Sequence, residues 1–234
     1  MIKALIFDID GTLAETEEGH RAAFNAAFAE AGLDWTWDVD LYRELYRITG
    51  GKERMHRYAE MRGVSSAELS DADIARLHLR KNARYAEIVR AGLCPLRPGV
   101  ERLIRTARPR GLRLAICSTT SRVNIDELVQ ATLRPEGLRL FDCVVSGEDA
   151  PIKKPAPDAY LQVLEQLSLR PEDCLAFEDS RNGLISARAA GLAAVVTPSL
   201  YTNHETFDGA AIVLPDLSGF ELTADGFAAQ PAPA

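Results

Sequence analysis

Leu5-Ile6-Phe7-Asp8-Ile9-Asp10-Gly11-Thr12-Leu13 is the stretch on which the fold turns. An apolar, strand-forming run stops at two carboxylates spaced i, i+2, and Gly11 follows at once to let the backbone turn sharply. Side chains two apart on a strand share a face, so Asp8 and Asp10 look into the same small volume. Repulsion and desolvation in that volume separate their pKa values. The lower-pKa member can then attack as a nucleophile while the other holds a proton for the leaving group. The same letters also fit a strand that runs into an acidic surface turn, and only the rest of the chain decides between the two.

Beyond Leu13 the period changes from strand to helix. Phe24, Ala27, Phe28 and Ala31 fall at i, i+3, i+4 and i+7, and Gly32 ends the run. A second helix is expected over 38–48, a third opens at Lys52-Glu53-Arg54 after the Gly50-Gly51 break, and a fourth begins near Ser70. The fourth carries Ile74, Leu77, Tyr85 and Ile88 on one stripe, with Lys81 in the middle of it. That lysine either snorkels at the edge of a helical bundle or faces inward to meet an anion.

From Leu96-Arg97-Pro98-Gly99 onwards, apolar strands alternate with amphipathic helices, the pattern of a parallel α/β sheet. Strands are expected over 113–117, 141–145, 174–177, 193–196 and 211–214, and a disordered tail over 228–234. Helices are expected at Val100–Ala107, Val123–Leu133 and around Tyr160, Leu164 and Leu167, with Ser180 as the N-cap of another. The fold class is therefore α/β: a Rossmann-like parallel-sheet core built from 1–14 and 93–234, with a four-helix cap inserted at 15–92. The insertion leaves the sheet just after the Asp8 strand, so it should sit over that strand's end as a lid.

With 234 residues, 47% of them hydrophobic, the chain has ample material for a core. A net charge of −7 and the lack of a basic block argue against nucleic-acid partners. No apolar run approaches the roughly 18 residues of a membrane span. Met1-Ile2-Lys3 leads straight into the first strand without a signal peptide, so a cytoplasmic monomer acting on a small molecule is expected. Cys94, Cys117, Cys143 and Cys174 contain no C-x-x-C pair. The last three read as reduced core residues, Cys94 is undecided, and a metal site built from them is disfavoured.

Ligands of a doubly wound sheet bind beyond the carboxyl ends of the strands. Those ends deliver Asp8 and Asp10, then Ser118 and Thr119, then Lys154 in Lys153-Lys154-Pro155-Ala156-Pro157-Asp158, and finally Glu178 and Asp179. Carboxylates from two strands can hold Mg²⁺, a hydroxyl and amides at a helix start can hold phosphate oxygens, and a lysine offsets the charge of both. Each feature alone has a structural reading as a cap, a solvated basic pair or an acidic helix start. Together they fit phosphoryl transfer.

This set of motifs resembles the phosphatases of the haloacid dehalogenase superfamily, over essentially the whole chain. The resemblance implies that Asp8 is the nucleophile and Asp10 the general acid and then base. It further implies that Ser118 binds the transferring group, that Lys154 bridges it to Asp8, and that Thr12 buttresses the loop. Mg²⁺ would be held by Asp8, the Asp10 carbonyl, Glu178 and Asp179, and Lys153 would face solvent. The insertion is similar to the small helical cap of phosphoglycolate phosphatases, β-phosphoglucomutases and the CbbY group. Gly11-Thr-Leu-Ala-Glu-Thr-Glu17, His20, Trp35, Trp37 and Thr49-Gly-Gly-Lys-Glu-Arg54 most resemble CbbY, whose members dephosphorylate xylulose 1,5-bisphosphate in organisms that use the Calvin cycle.

For the cap, Glu17, His20, Gly50, Gly51, Lys52, Arg54 and Lys81 are the candidate substrate contacts. His20 either orients substrate hydroxyls or Asp10, or is a partly buried histidine, and Glu17 either accepts from a sugar hydroxyl or faces solvent. Trp35 and Trp37 are expected to pack within the cap. A mutase that returns the phosphoryl group to another hydroxyl, a phosphoglycolate phosphatase and a non-catalytic phosphate-binding module stay open as alternatives. A halide-removing hydrolase does not fit, because that branch lacks a carboxylate at the position of Asp10.

Overall fold

Six parallel strands form the main sheet in the order β3-β2-β1-β4-β5-β6 in a computed structural model that describes residues 1–223 and 226–229. The strands are β1 Ala4–Phe7, β2 Arg113–Cys117, β3 Cys143–Val145, β4 Cys174–Glu178, β5 Ala193–Val196 and β6 Ile212–Val213. Strand β1 is central, and its four residues are fully buried between β2 and β4, as a near-continuous apolar run requires. Helices α5 Val100–Ala107, α6 Arg122–Thr132, α7 Asp158–Leu167 and α8 Arg181–Ala189 flank it, with two buried apolar clusters containing side chains from alternate positions of β1. Leu5 and Phe7 belong to one cluster and Ala4 and Ile6 to the other. The α/β parallel-sheet class stands.

Three strand boundaries differ from expectation. Phe141 and Asp142 precede β3, because the Asp142 carboxylate accepts from the Leu114 amide at 2.9 Å and from Arg108 at 2.7 Å where a strand residue would face outward. Strand β4 runs one residue further and includes Glu178, whereas β6 is only two residues long. The expected tail is a strand at its start: β7 Phe220–Leu222 and β8 Phe227–Ala229 pair antiparallel, so Ala228 and Ala229 are ordered. Phe220 anchors this hairpin, edge-on to Phe177 at 5.3 Å and stacked on Phe227 at 5.5 Å. Residues 230–234 lie outside the described residues.

Between β1 and α5 lie α1 Glu17–Glu30, α2 Val39–Tyr46, α3 Gly51–Met61 and α4 Asp71–Arg90. Local chemistry sets their starts: Asp38 accepts from the Leu41 amide at 2.8 Å, and Ser70 with Asp73 forms a reciprocal capping box. Their apolar faces make a separate cluster in which Phe24, Phe28, Trp35, Trp37, Tyr42 and Tyr58 interlock, so both tryptophans serve packing. The chain leaves and re-enters the core at one place, where Ala14 bridges to Asp10 on one side and Leu96 on the other. All four cysteines, Cys94 included, are buried and free. No helix among the described residues is long and apolar enough to cross a membrane.

Candidate active site

A cavity of about 480 Å³ separates the C-terminal end of the sheet from the four inserted helices. Asp8, Asp10, Ser118, Thr119, Lys154, Glu178 and Asp179 line its core side. All the cap candidates, Glu17, His20, Gly50, Gly51, Lys52, Arg54 and Lys81, line it as well.

On the core side Lys154 is the organiser. Its buried ammonium donates to Asp8 Oδ1 at 2.8 Å, to Glu178 Oε1 at 2.6 Å and to the Cys117 carbonyl at 2.7 Å, which uses all three of its protons. Burial opposes its charge, but Asp8 and Glu178 raise its pKa, so it stays cationic. Ser118 is buried at the end of β2, its amide donating to Val145 and its hydroxyl accepting from the Thr120 amide at 3.2 Å. Ser121, at the start of α6, makes no side-chain cap; it accepts from Asn82 of α4 instead, at 3.2 Å.

Asp8, Glu178 and Asp179 each offer an oxygen, all within 4.8 Å of one another. Glu178 Oε2 is buried with no hydrogen-bond partner among the described residues, and a Cβ at Gly183 would lie only 1.8 Å from it. Three hard, anionic donors with an orphaned oxygen fit a divalent cation of the Mg²⁺ kind. The Asp10 side chain is not among them. It accepts from Thr16 Oγ1 at 2.7 Å and pairs with His20 Nε2 at 2.9 Å, which leaves its backbone carbonyl as the group it could offer.

The order of the two carboxylate pKa values is the reverse of the expected one. Burial, reinforced by Glu178 and Asp10 and opposed by Lys154, pushes the Asp8 carboxyl up to about 8. Burial acts on Asp10 too, but His20, Thr16 and Lys81 outweigh it and bring that carboxyl down to about 2. The i, i+2 spacing shows that the two must differ, and the partners that set the sign come from α1 and α4. Asp179 is likewise raised well above the usual range, by burial and then by Asp8. A cation among these carboxylates inverts that logic and favours their ionised forms.

The cap side is held by its own side chains. Lys81 is buried and inward-facing but not unpaired: its ammonium donates to His20 Nδ1 at 2.8 Å. Nδ1 is therefore the acceptor, so Nε2 carries the ring proton and donates to Asp10. Burial and Lys81 lower the His20 pKa to about 4, which keeps the ring neutral, and burial lowers Lys81 to about 8. Glu17 does not face solvent; it is buried and accepts from Tyr42 Oη at 3.0 Å, and burial raises it to about 7. Arg54 donates to the Ile48 carbonyl at 2.9 Å and to Tyr42 Oη at 3.0 Å, and lies over the Tyr46 ring at 4.7 Å. Lys52 lines the cavity from the first turn of α3.

Two expectations from the motif region fail. The Thr12 hydroxyl is buried with no hydrogen-bond partner among the described residues, so it does not buttress the loop by a hydrogen bond to them; Arg97 does, through the Gly11 carbonyl. Lys153 is not simply solvated, because it pairs with Glu53 of α3 across the cavity mouth and has 29% of its side chain exposed. Gly50, at φ +104°, makes room for that pair, since a Cβ there would meet Glu53 Oε2 at 2.1 Å and Lys153 Nζ at 2.6 Å. Sequence reasoning also missed Asn182, which donates to the Arg47 carbonyl and to Thr49 Oγ1 at 3.2 Å each. Ser199 and Thr202 beside Asp179 were missed too, although the strand-end rule applied to β5 points straight at them.

The family model described as haloacid dehalogenase-like hydrolase matches residues 2–191. The protein CbbY of Rhodobacter capsulatus is 54% identical over 93% of this chain and 94% of its own length. The plasmid-encoded CbbY of Cupriavidus necator is 51% identical over 92% of this chain and 86% of its own. A crystal structure of CbbY from Rhodobacter sphaeroides, an Asp-to-Asn variant in complex with xylulose 1,5-bisphosphate, superposes with a TM-score of 0.88 at 44% identity, covering 93% of this chain and 96% of that one. The chain belongs to the haloacid dehalogenase-like hydrolases and is a phosphatase of that family.

Proposed function

We propose that this chain is a Mg²⁺-dependent phosphatase that converts a small sugar bisphosphate, xylulose 1,5-bisphosphate, to xylulose 5-phosphate through an aspartyl-phosphate on Asp8. The observation that carries this reading is the cavity's two-sided chemistry: a nucleophile, lysine and carboxylate set on the core, and a second cationic wall of Lys52, Arg54 and Lys81 on the cap. The 44% identical CbbY that binds xylulose 1,5-bisphosphate supports the choice of sugar. A volume of about 480 Å³ suits a pentulose with two phosphates.

The Asp8 oxygen not held by Lys154 attacks phosphorus as the ester P–O bond breaks, and the electron pair leaves on the sugar oxygen. Asp10, which lines the cavity beside His20 and Thr16 and is ionised at rest, relays to that oxygen the proton brought in by the phosphate monoanion. Its low pKa suits the second half, in which it takes a proton from water while the oxygen attacks the phosphoryl-enzyme and Asp8 is released. Ser118, Thr119 and Lys154 hold the transferring oxygens. Mg²⁺ held by Asp8, Glu178, Asp179 and the Asp10 carbonyl would neutralise the carboxylates and polarise the phosphoryl group. Lys52 and the amides after Gly50-Gly51 receive the distal phosphate, with Arg54 behind them.

Incubation of xylulose 1,5-bisphosphate with the protein and Mg²⁺ tests this. One phosphate released per xylulose 5-phosphate formed, with EDTA abolishing turnover reversibly, is the expected result. An isomerised sugar phosphate without free phosphate establishes a mutase instead, and stoichiometric binding without turnover establishes a binding module.

A further inference from the structure

The segment after β5, Thr197–Asn203, belongs to the core by sequence, yet it touches both the acidic cluster and the cap. Ser199, Tyr201 and Thr202 are all buried. Thr202 Oγ1 lies 3.2 Å from Asp179 Oδ2, and accepts from the Ser199 amide at 2.8 Å. Ser199 Oγ is 3.0 Å from the same hydroxyl. With a lone pair of Thr202 already taken by an amide, and with Asp179, once a cation beside it keeps it ionised, able only to accept, the threonine proton points at Asp179. One Asp179 oxygen is thus held and the other is left for a ligand.

The slot around Asp179 is narrow. A Cβ at Gly11, where φ is +78°, would stand 2.3 Å from Asp179 Oδ2 and 3.0 Å from Ser199 Cβ, so glycine is what lets the Asp8 loop and the β5 segment close on this carboxylate. Arg97 ties the two walls together by donating to the Gly11 and Thr197 carbonyls and, at 2.9 Å, to the Pro198 carbonyl.

Next to Thr202, the Tyr201 ring is inserted into the apolar cluster of the cap. It meets Tyr42 edge-on at 5.3 Å and Tyr46 at 6.1 Å, and Arg43 sits 6.0 Å from its centroid. One peptide unit separates a residue packed in the cap from a residue that holds Asp179.

We propose that Thr202 is the positioning residue that aims Asp179 at a bound cation, and that Tyr201 couples that aim to the cap, so that cation affinity and cap seating are linked. The proposal rests on the reading of Asp179 as a metal ligand. Coupling of this kind is reciprocal: whatever seats the cap on Tyr201 tightens the cation, and the cation favours the seated cap.

Calorimetric titration of the full chain with MgCl2, without substrate, tests both parts. Thr202→Val keeps the shape and removes the hydroxyl; it should weaken Mg²⁺ about tenfold or more, the scale of groups that orient a metal ligand. Thr202→Ser should restore the affinity close to wild type, which a purely structural role of the threonine would not require. Tyr201→Leu keeps apolar bulk but loses the ring packing and should weaken Mg²⁺ about fivefold although the Tyr201 hydroxyl hydrogen-bonds to no carboxylate among the described residues. Metal-free unfolding midpoints, measured in parallel, show whether each variant is folded. Equal Mg²⁺ affinity in wild type and folded Thr202→Val overturns the positioning role, and equal affinity in folded Tyr201→Leu overturns the coupling. A wild-type chain that takes up no Mg²⁺ overturns the metal reading itself, an outcome distinct from both.

Discussion

On the core wall of the cavity, Asp8, Lys154, Glu178 and Asp179 stand at or just beyond the ends of parallel strands or, for Lys154, before a helix, and hydrogen-bonded backbone aims them. On the cap wall, Lys81, His20, Glu17 and Arg54 stand on helices and are aimed by each other: Lys81 on His20, His20 on Asp10, Arg54 and Glu17 through Tyr42. The first wall is a cluster gathered by one lysine on a frame of hydrogen-bonded strands, and the second is a chain of helix side chains in which each group depends on its neighbour. Substitution of a single core carboxylate should therefore remove its own function while strand pairing holds the frame, whereas substitution on the cap should spread.

Asp8→Asn gives the largest effect. The amide is isosteric but cannot attack phosphorus, so kcat should fall by about 10³-fold or more with folding intact. Appreciable steady-state turnover by a verified variant refutes the nucleophile. Lys81→Ala comes next and tests the chain directly. Removing the ammonium frees His20 Nδ1 and with it the tautomer that serves Asp10, so kcat should fall about 10²-fold for a sugar bisphosphate and for a simple aryl phosphate alike. A loss confined to the bisphosphate would return Lys81 to the role of a distal-phosphate contact. Lys52→Ala should show that selective pattern, with kcat/KM down about tenfold for the bisphosphate and little changed for the aryl ester. Equal losses on the two would mean that Lys52 supports the fold rather than the ligand.

The smallest effect concerns stability. The Glu17 carboxyl has a pKa of about 7 in the folded chain against an ordinary 4.5, so the folded state keeps its proton across that window while the unfolded state has released it. Stability is lost as pH rises from 4.5 to 7, and the whole cost is present above 7. Glu17→Gln keeps an acceptor for Tyr42 without the buried charge. It should raise the unfolding midpoint at pH 8 by about 2–5 °C, with the gain fading towards pH 5. An equal gain at both pH values would exclude the carboxyl as its source.

The same contrast decides what the sequence made legible. Asp8, Asp10, Ser118, Glu178 and Asp179 were picked out because an apolar run stops at a polar residue, a signal confined to a few neighbours, whereas Ser199 and Thr202 lie further beyond β5 and were not; β2 and β5 have the residues expected of them, and Glu178 was misplaced by only one position. Cap residues were found as positions but not as partners. A period of 3.6 places Lys81 on the inward stripe, but nothing local says that His20, on another helix, will meet it. Glu53 with Lys153, and Tyr201 with the cap aromatics, join segments a hundred or more residues apart, and no window of sequence contains both. The inverted pKa order of Asp8 and Asp10 has the same origin, since spacing fixes proximity while distant charges fix sign.

The central place of β1 has a consequence for how the chain is made. It is synthesised before the other five strands of its sheet, yet Ala4 pairs with Arg113 on one side and Cys174 on the other, so Leu5-Ile6-Phe7 waits through the synthesis of the entire helical insertion before its first neighbour exists. Helices α1 to α4 carry nearly all of their own apolar cluster and can condense during that wait, whereas the strand that bears the nucleophile stays an unpaired, aggregation-prone edge. Nascent chains halted between the insertion and β4 should therefore be the species that most needs a chaperone.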